Sequence, residues 1–294
     1  MKIRTAIIGS GNIGTDLCER LIMDRDFQVS AFIGRRTDSS GLQRLTGKVP
    51  TLSEGSTSLK ECLEDLDCIF DATSANDHKE LWTNLLANSG KLVIDLTPSQ
   101  IGIPIVPVLV GKIESMNLKD ISTLNLSMVT CGGQSSAPVV YAIARHCSNV
   151  LEVEVSSSIA SLSAGPATRR NLDQYIKSTE ELSTLLTGCQ NAKAILVLNP
   201  ADPPILMRTT VHVRAESFNI GDVIQEVNYF VKEVQKYVPG YEVAVAPHAI
   251  EPTVVSATVK VKGAGHFLPE YSGNLDIINA AAVESARRYF YELE

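Results

Sequence analysis

Residues 4–23 read RTAIIGSGNIGTDLCERLIM, and the fold class turns on this stretch. "RTAIIG" at its start is a short apolar run that reads as a strand, and "NIGTDLCERLIM" at its end carries helical spacing. Between them Gly9, Gly11 and Gly14 form G-x-G-x-x-G. Following a strand and opening a helix, these glycines permit a tight turn, close backbone approach to a pyrophosphate and close packing of helix on strand. The unpaired N–H groups at the helix start, together with its dipole, favour the negative charge of phosphates. A dinucleotide-binding turn is therefore expected at Gly9, Gly11 and Gly14.

The alternation continues through "FQVSAFIG", "LDCIFDAT", "HKELWTNLLANSG" and "KLVIDLT", the pattern of a parallel sheet with crossover helices. From Pro98, three prolines in "PSQIGIPIVPVLVG" predict a connecting loop across the edge of that sheet. The run Ile121–Thr130 ends at Cys131, and a helix is expected from about Ala137. Beyond it, alternating strands are predicted at Val150–Ser161, Ala194–Leu198, Thr209–Ala215 and Val254–Lys262. Between them lie the helical "DQYIKSTEELSTLLTGC" and "IGDVIQEVNYFVKEVQKYV". "NLDIINAAAVESARRYFYELE" closes the chain as an amphipathic helix. The expected class is α/β: a Rossmann-type parallel-sheet domain over residues 1–130 and a second, mixed α/β domain over 131–273.

The second predicted strand ends in "IGRRTDSS", which places Arg35 and Arg36 where an acid that hydrogen-bonds the ribose of NAD is expected. A guanidinium there suits a 2′-phosphate, so the sequence favours NADP over NAD. The alternative is two solvated arginines with Asp38 turned inward to meet the ribose.

Composition narrows the function classes. The 294 residues carry a net charge of −7 with both signs interspersed. No basic block stands beside aromatic residues, so nucleic acid is not an expected partner. Apolar runs such as "KLVIDL" are too short to span a bilayer, and the N-terminus lacks a signal-peptide pattern. A cytoplasmic protein without membrane contact is expected. The cysteines (Cys18, Cys62, Cys68, Cys131, Cys147, Cys189) form no C-x-x-C pair, so reduced thiols are expected and neither a disulfide framework nor a metal site.

The segments "AIIGSGNIGTDL", "MVTCGGQ", "SAGPATRRNLDQY", "AILVLNPADPPILMR", "VQKYVPGY" and "GAGHFLPEYSGNLDI" resemble the acetylating acetaldehyde dehydrogenases. These CoA-dependent enzymes pair with a 4-hydroxy-2-oxovalerate aldolase in aromatic catabolism. The resemblance runs from about Lys2 to the last helix. It implies a Rossmann domain completed by the C-terminal segment, about 274–294, beside a mixed α/β domain carrying homodimer contacts. The implied reaction joins a short-chain aldehyde, NAD(P) and coenzyme A to give acyl-CoA, reversibly. Cys131 matches the family's acyl-thioester cysteine. Ser10, Gly11, Asn12 and Ile13 match its first cofactor-contacting segment. Ser163–Asn171 matches the second, with Ser163, Ala164, Gly165, Pro166, Thr168, Arg169 and Asn171 as candidates, and Asn274 matches a residue near the nicotinamide.

This chemistry suits a thiolate, because the carbonyl must become a tetrahedral alkoxide before it can expel hydride, and the product is a thioester that another thiol can take over. A helix beginning near Ser136 or Pro138 would set its positive end by the sulfur and lower the thiol pKa. Gly132 and Gly133 would leave room for substrate and offer N–H groups to an oxyanion. The bland reading is a small packed cysteine, which is retained for Cys18, Cys68, Cys147 and Cys189. Arg169 and Arg170 are also candidates for the phosphates of coenzyme A.

Two departures stand out. The family reads "MRDT" where this chain has Met207, Arg208, Thr209 and Thr210, so the acid given the general-base role is missing. A threonine hydroxyl does not titrate near neutrality. His266 in "GAGHF" is the preferred substitute, ahead of Asp202 and His212. "GPATRR" also replaces the family's "GPGTRA". The competing readings are an NADPH-dependent reductase that releases an aldehyde from a carrier-protein thioester, and a catalytically impaired nucleotide-binding partner subunit.

Overall fold

The computed structural model describes residues 2–116 and 124–291. The start of the run Ile121–Thr130 and the last three residues of the C-terminal segment lie outside the described residues. The chain divides into two compact units. One comprises Met1–Met128, His266–Leu268 and Ala281–Glu294, and the other Val129–Gly265 and Pro269–Ala280.

In the first unit, strands β1 (Ile3–Ile8), β2 (Phe27–Ile33), β3 (Thr51–Leu52), β4 (Cys68–Asp71), β5 (Leu92–Asp95), β6 (Ile103–Ile105) and β7 (Asn125–Met128) form one sheet. Among the described residues its order is β3-β2-β1-β4-β5-β7-β6, with every neighbouring pair parallel. Helices α1 (Asn12–Met23), α2 (Ser40–Leu45), α3 (Ser56–Cys62) and α4 (Ala75–Leu81) supply the crossovers. β4 and β5 are buried at every position, as strands covered on both faces must be. The proline-rich stretch is not all loop, since β6 lies within it. It takes the edge of the sheet, where Pro104, lacking an N–H, is tolerated.

In the second unit, β8 (Cys147–Ala160), β9 (Ala192–Asn199), β10 (Met207–Phe218), β11 (Tyr241–Glu251) and β12 (Val254–Val261) are ordered β11-β12-β10-β8-β9. The β8–β9 pair is parallel and the others antiparallel, so the sheet is mixed. Helices α5 (Cys131–Ala144), α6 (Pro166–Arg170), α7 (Leu172–Thr187) and α8 (Ile220–Gln235) precede the last helix, α9 (Gly273–Tyr291). α5 packs on β8, β10 and β12, with α7 and α8 against it. The core-facing rows are Val153, Val155 and Ile159 on β8, and Met207, Val211 and Val213 on β10.

Three local expectations are corrected. α5 starts at Cys131 rather than near Ala137, because Thr130 caps it: Thr130 Oγ1 accepts the Gly133 N–H at 2.8 Å, and Pro138 is carried inside the helix. Cys147, which helical spacing places at the end of a helix, opens a strand. β11 was not anticipated. It is an edge strand containing Pro247, and its pairing to β12 slips at three points, which disrupts the alternation that marks a strand.

Candidate functional site

The glycine turn has the geometry its spacing implies. Gly9 has φ +109°, and a Cβ there would stand 2.4 Å from the Ala72 carbonyl oxygen. A Cβ on Gly14 would stand 1.8 Å from the Gly9 carbonyl oxygen, whereas one on Gly11 would meet nothing within 4 Å. Gly9 thus lets the turn approach the chain after β4, Gly14 brings α1 close to the end of β1, and Gly11 leaves open space at the helix start. No side chain caps α1 and its first turn holds no acid, so the positive end of the helix dipole faces the turn without an opposing charge. Ser10 links the turn to the next crossover through Ser39, Oγ to Oγ 2.6 Å. Asn12 is exposed in the first turn of α1 and Ile13 is partly buried. A cavity of about 630 Å³ lies over the turn, lined also by Gly34, Arg35, Gly55, Thr73 and Ser74. Cradle and open helix start fit a pyrophosphate.

Arg35 and Arg36 line a smaller neighbouring hollow with Ser10 and Ser39. Arg35 pairs with Asp77 at 3.0 Å and Arg36 with Asp38 at 3.1 Å, all on the surface. Asp38 therefore faces Arg36 in solvent and is not turned inward.

Beside the cavity is a buried network that the sequence reading missed. At the end of β4, Asp71 holds Thr73 through its N–H at 2.9 Å and its hydroxyl at 2.5 Å. Asp71 also meets His78 Nδ1 at 2.8 Å, while His78 Nε2 lies 3.4 Å from Asp95 and 3.0 Å from the Asn125 amide. Acids at the ends of two consecutive predicted strands, "CIFD" and "LVID", were the available signal.

Cys131 is the first residue of α5 and is partly buried, with Sγ 3.8 Å from the Tyr175 hydroxyl. Burial pushes its thiol up to about 11, while the Tyr175 hydroxyl and the N–H groups of Gly132 and of Cys131 itself pull it down. The expected lowering of the thiol pKa is thus not found, because desolvation exceeds the helix-end stabilisation. The two glycines also serve differently from expectation. A Cβ on Gly132 would stand 2.0 Å from the Tyr175 hydroxyl, and one on Gly133 would stand 3.1 Å from Leu182. The room they leave is filled by α7, and the Gly133 N–H is taken by the cap.

Thr209, where the resemblance implies an acid, is fully buried. Its hydroxyl meets Ser135 Oγ at 2.7 Å and Ser157 Oγ at 3.0 Å. His212 is on the same strand at odd spacing from Thr209, so it projects from the opposite face. Asp202 is exposed before β10, and His266 is exposed in a loop that belongs to the first unit.

The segment Ser163–Asn171 forms a loop and the short α6. Ser163 and Ala164 are buried, Gly165 and Pro166 exposed, and Thr168 partly buried. Arg169 turns back on this loop, binding the carbonyl oxygens of Ala164 at 3.0 Å and Ser161 at 2.9 Å. Asn171 precedes α7 at its N-cap position. Asn274 is buried and donates to the Ser163 carbonyl at 3.4 Å, and its Oδ1 is buried with no hydrogen-bond partner. An orphaned buried acceptor of this kind fits a ligand amide.

Residues 4–121 match the family model for the semialdehyde dehydrogenase NAD-binding domain, and residues 131–269 match the prokaryotic acetaldehyde dehydrogenase dimerisation model. The chain is 43% identical to the acetaldehyde dehydrogenase of Pectobacterium atrosepticum over 285 residues, 96% of this chain and 94% of that one. The acetaldehyde dehydrogenase of Spirochaeta aurantia is also 43% identical, over 98% of this chain and 94% of its own. That of Geobacillus stearothermophilus is 42% identical over 97% and 95%. Among solved structures, aspartate semialdehyde dehydrogenase II of Vibrio cholerae complexed with ASA aligns with a TM-score of 0.66 at 13% identity, over 98% of each chain. That likeness is one of fold.

Proposed function

The chain belongs to the acetaldehyde dehydrogenase family, and from that premise we propose that it interconverts a short-chain aldehyde and its acyl-CoA through a thioester on Cys131. The observation that carries this reading is the position of Cys131 at the capped start of α5, with its sulfur against a side-chain hydroxyl, while Cys18, Cys68 and Cys189 are buried. As a thiolate, Cys131 adds to the aldehyde carbon. After oxidation of the adduct the same sulfur carries the acyl group until the thiol of coenzyme A attacks it and Cys131 departs. A nicotinamide dinucleotide, when bound, supplies the hydride acceptor or donor.

Gly9 to Gly14 would hold its pyrophosphate, and Ser163 to Asn171 with Asn274 its nicotinamide end, a reading supported by the orphaned Asn274 Oδ1. Arg35 and Arg36 beside the cavity support NADP over NAD. His266 remains the proposed proton acceptor. A homodimer built on the second unit accompanies this reading, since residues 131–269 match a dimerisation model. The aldolase partner rests on the resemblance alone.

Purified protein is to be offered acetyl-CoA and a carrier-protein acyl thioester, each with NADH and NADPH, following absorbance of the reduced nicotinamide. Reduction of acetyl-CoA is expected, faster with NADPH, and Cys131→Ala is expected to lose about a thousand-fold or more. Undiminished turnover in Cys131→Ala would overturn the thioester reading. Preference for NADH would remove only the cofactor part.

A further inference from the structure

We propose that the Tyr175 hydroxyl donates a hydrogen bond to the Cys131 thiolate, at the head of a buried hydroxyl chain through Ser157, Thr209 and Ser135 that stabilises the sulfur anion. The inference rests on Cys131 being the nucleophile.

The placement of these hydroxyls carries it. Ser157 and Thr209 face each other across the β8–β10 pair, and each interrupts an otherwise apolar core row. Buried hydroxyls in such a row are unfavourable unless they satisfy one another. Here they connect in sequence. Cys131 Sγ lies 3.8 Å from Tyr175, and Tyr175 meets Ser157. Ser157 meets Thr209 at 3.0 Å, Thr209 meets Ser135 at 2.7 Å, and Ser135 donates to the Gly132 carbonyl at 3.0 Å. Gly132 is the condition for the first link, because any Cβ there would overlap the Tyr175 hydroxyl.

A chain of this kind has two polarities. With the thiol protonated, S–H points to Tyr175, and each hydroxyl donates to the next until Ser135 reaches the Gly132 carbonyl. With the thiolate formed, Tyr175 donates to sulfur, Ser157 to Tyr175 and Thr209 to Ser157. The far end is a carbonyl, which is no base, so the chain reorients without removing the proton. The proton leaves from the solvent side of the partly buried sulfur.

Among the described residues of this unit, the titratable group facing the sulfur is Tyr175 on α7. β8 and β10 bring the hydroxyls of Ser157 and Thr209, and α5 brings the N–H of Gly132. Tyr241 of β11 donates to the Ser135 carbonyl at 2.6 Å. Among the described residues, the groups that favour the Cys131 thiolate are the Tyr175 hydroxyl and the N–H groups of Gly132 and of Cys131 itself. Burial raises the thiol, and the Tyr175 hydroxyl is the largest influence opposing it.

The test is the pH dependence of Cys131 alkylation by iodoacetamide, read by mass spectrometry of the modified peptide, which needs no turnover. Tyr175→Phe keeps the ring and removes the donor. Its curve is expected to move up by about one pH unit, slowing alkylation below the midpoint about ten-fold, with Cys147 unchanged as internal control. Thr209→Val breaks the chain one hydroxyl further from the sulfur and is expected to move the curve less, in the same direction, with Thr209→Ser restoring it. If Tyr175→Phe fails to fold, the Thr209 pair decides. Coincident curves for all the variants and the parent overturn the proposal. Failure of the thioester reading appears separately, as undiminished turnover in Cys131→Ala.

Discussion

Asp95 ends β5 with its carboxylate buried, accepting from the Thr97 N–H at 2.7 Å, Ser99 at 2.5 Å and Ser127 at 3.2 Å. Burial pushes this carboxyl up, against the pull of His78 and of the surrounding donors. For His78, burial pushes the imidazolium down, but the hydrogen bond to Asp71 and the charges of Asp95 and Asp71 outweigh it and raise its value. Both groups bind protons more tightly in the folded chain, so stability falls with rising pH in both windows. The His78 contribution is fully present below about pH 6.5 and is lost as pH climbs through the raised value. The Asp95 contribution is present below about pH 3.8 and is lost above it. As pH rises above about 6.5, then, the urea midpoint of the first unit is expected to drop. Trp82 follows α4, packs against this unit's core and is the chain's one tryptophan, so its fluorescence reads that unit. Asp95→Asn removes one of the two charges holding the imidazolium and is expected to flatten the drop. An identical slope in the variant would show that the histidine does not titrate in that window.

At the scale of one element, β1, its turn and α1 separate two roles of glycine that the motif spacing alone does not. Gly14→Ala places a methyl carbon into the Gly9 carbonyl, so α1 must shift from β1. The variant is expected to lose about 2 kcal/mol or more of stability together with cofactor affinity. Gly11→Ala meets no atom of the protein, so it is expected to lose only about 1 kcal/mol, the cost of alanine at an N-cap position. Its methyl group occupies the space above the helix start, and NADPH titration by fluorescence is expected to show a dissociation constant about ten-fold higher. Parent-like binding in Gly11→Ala would place the pyrophosphate elsewhere. This element was legible because its signal is local: strand, glycine spacing and helix lie within some twenty residues. α5 was misplaced because its cap is a single threonine in a stretch of small residues, and β11 was missed because its pairing is irregular. Ser157, Tyr175 and Thr209 were invisible as a group, since register across β8 and β10 joins Ser157 to Thr209 and the packing of α7 adds Tyr175, and no spacing along the chain records either.

On the scale of the whole molecule, the second unit's sheet has a helical layer formed by α5, α7 and α8, and its other face carries polar ladders. Register sets Glu154, His212 and Ser256 in one row and Ser156, Thr210 and Thr258 in the next, with Thr210 and Thr258 joined at 2.9 Å. Val197 and Val245, each nearly half exposed, flank these rows, and His212 Nδ1 is buried without a hydrogen-bond partner. A polar face of hydroxyls with Glu154 and His212 among them, edged by valines, in a segment that matches a dimerisation model, suits an interface between two copies of the chain. A two-fold axis through such a face brings the same patch against itself, so one substitution enters the interface twice. Thr210→Glu would set two like charges into a dehydrating contact. Sedimentation equilibrium is expected to give a dimer for the parent and a dissociation constant about a hundred-fold weaker, or a monomer, for the variant. Far-UV circular dichroism is expected to match, because Thr210 lies outside the core row that holds Val211 and Val213. A variant dimer as tight as the parent's would move the interface off this face.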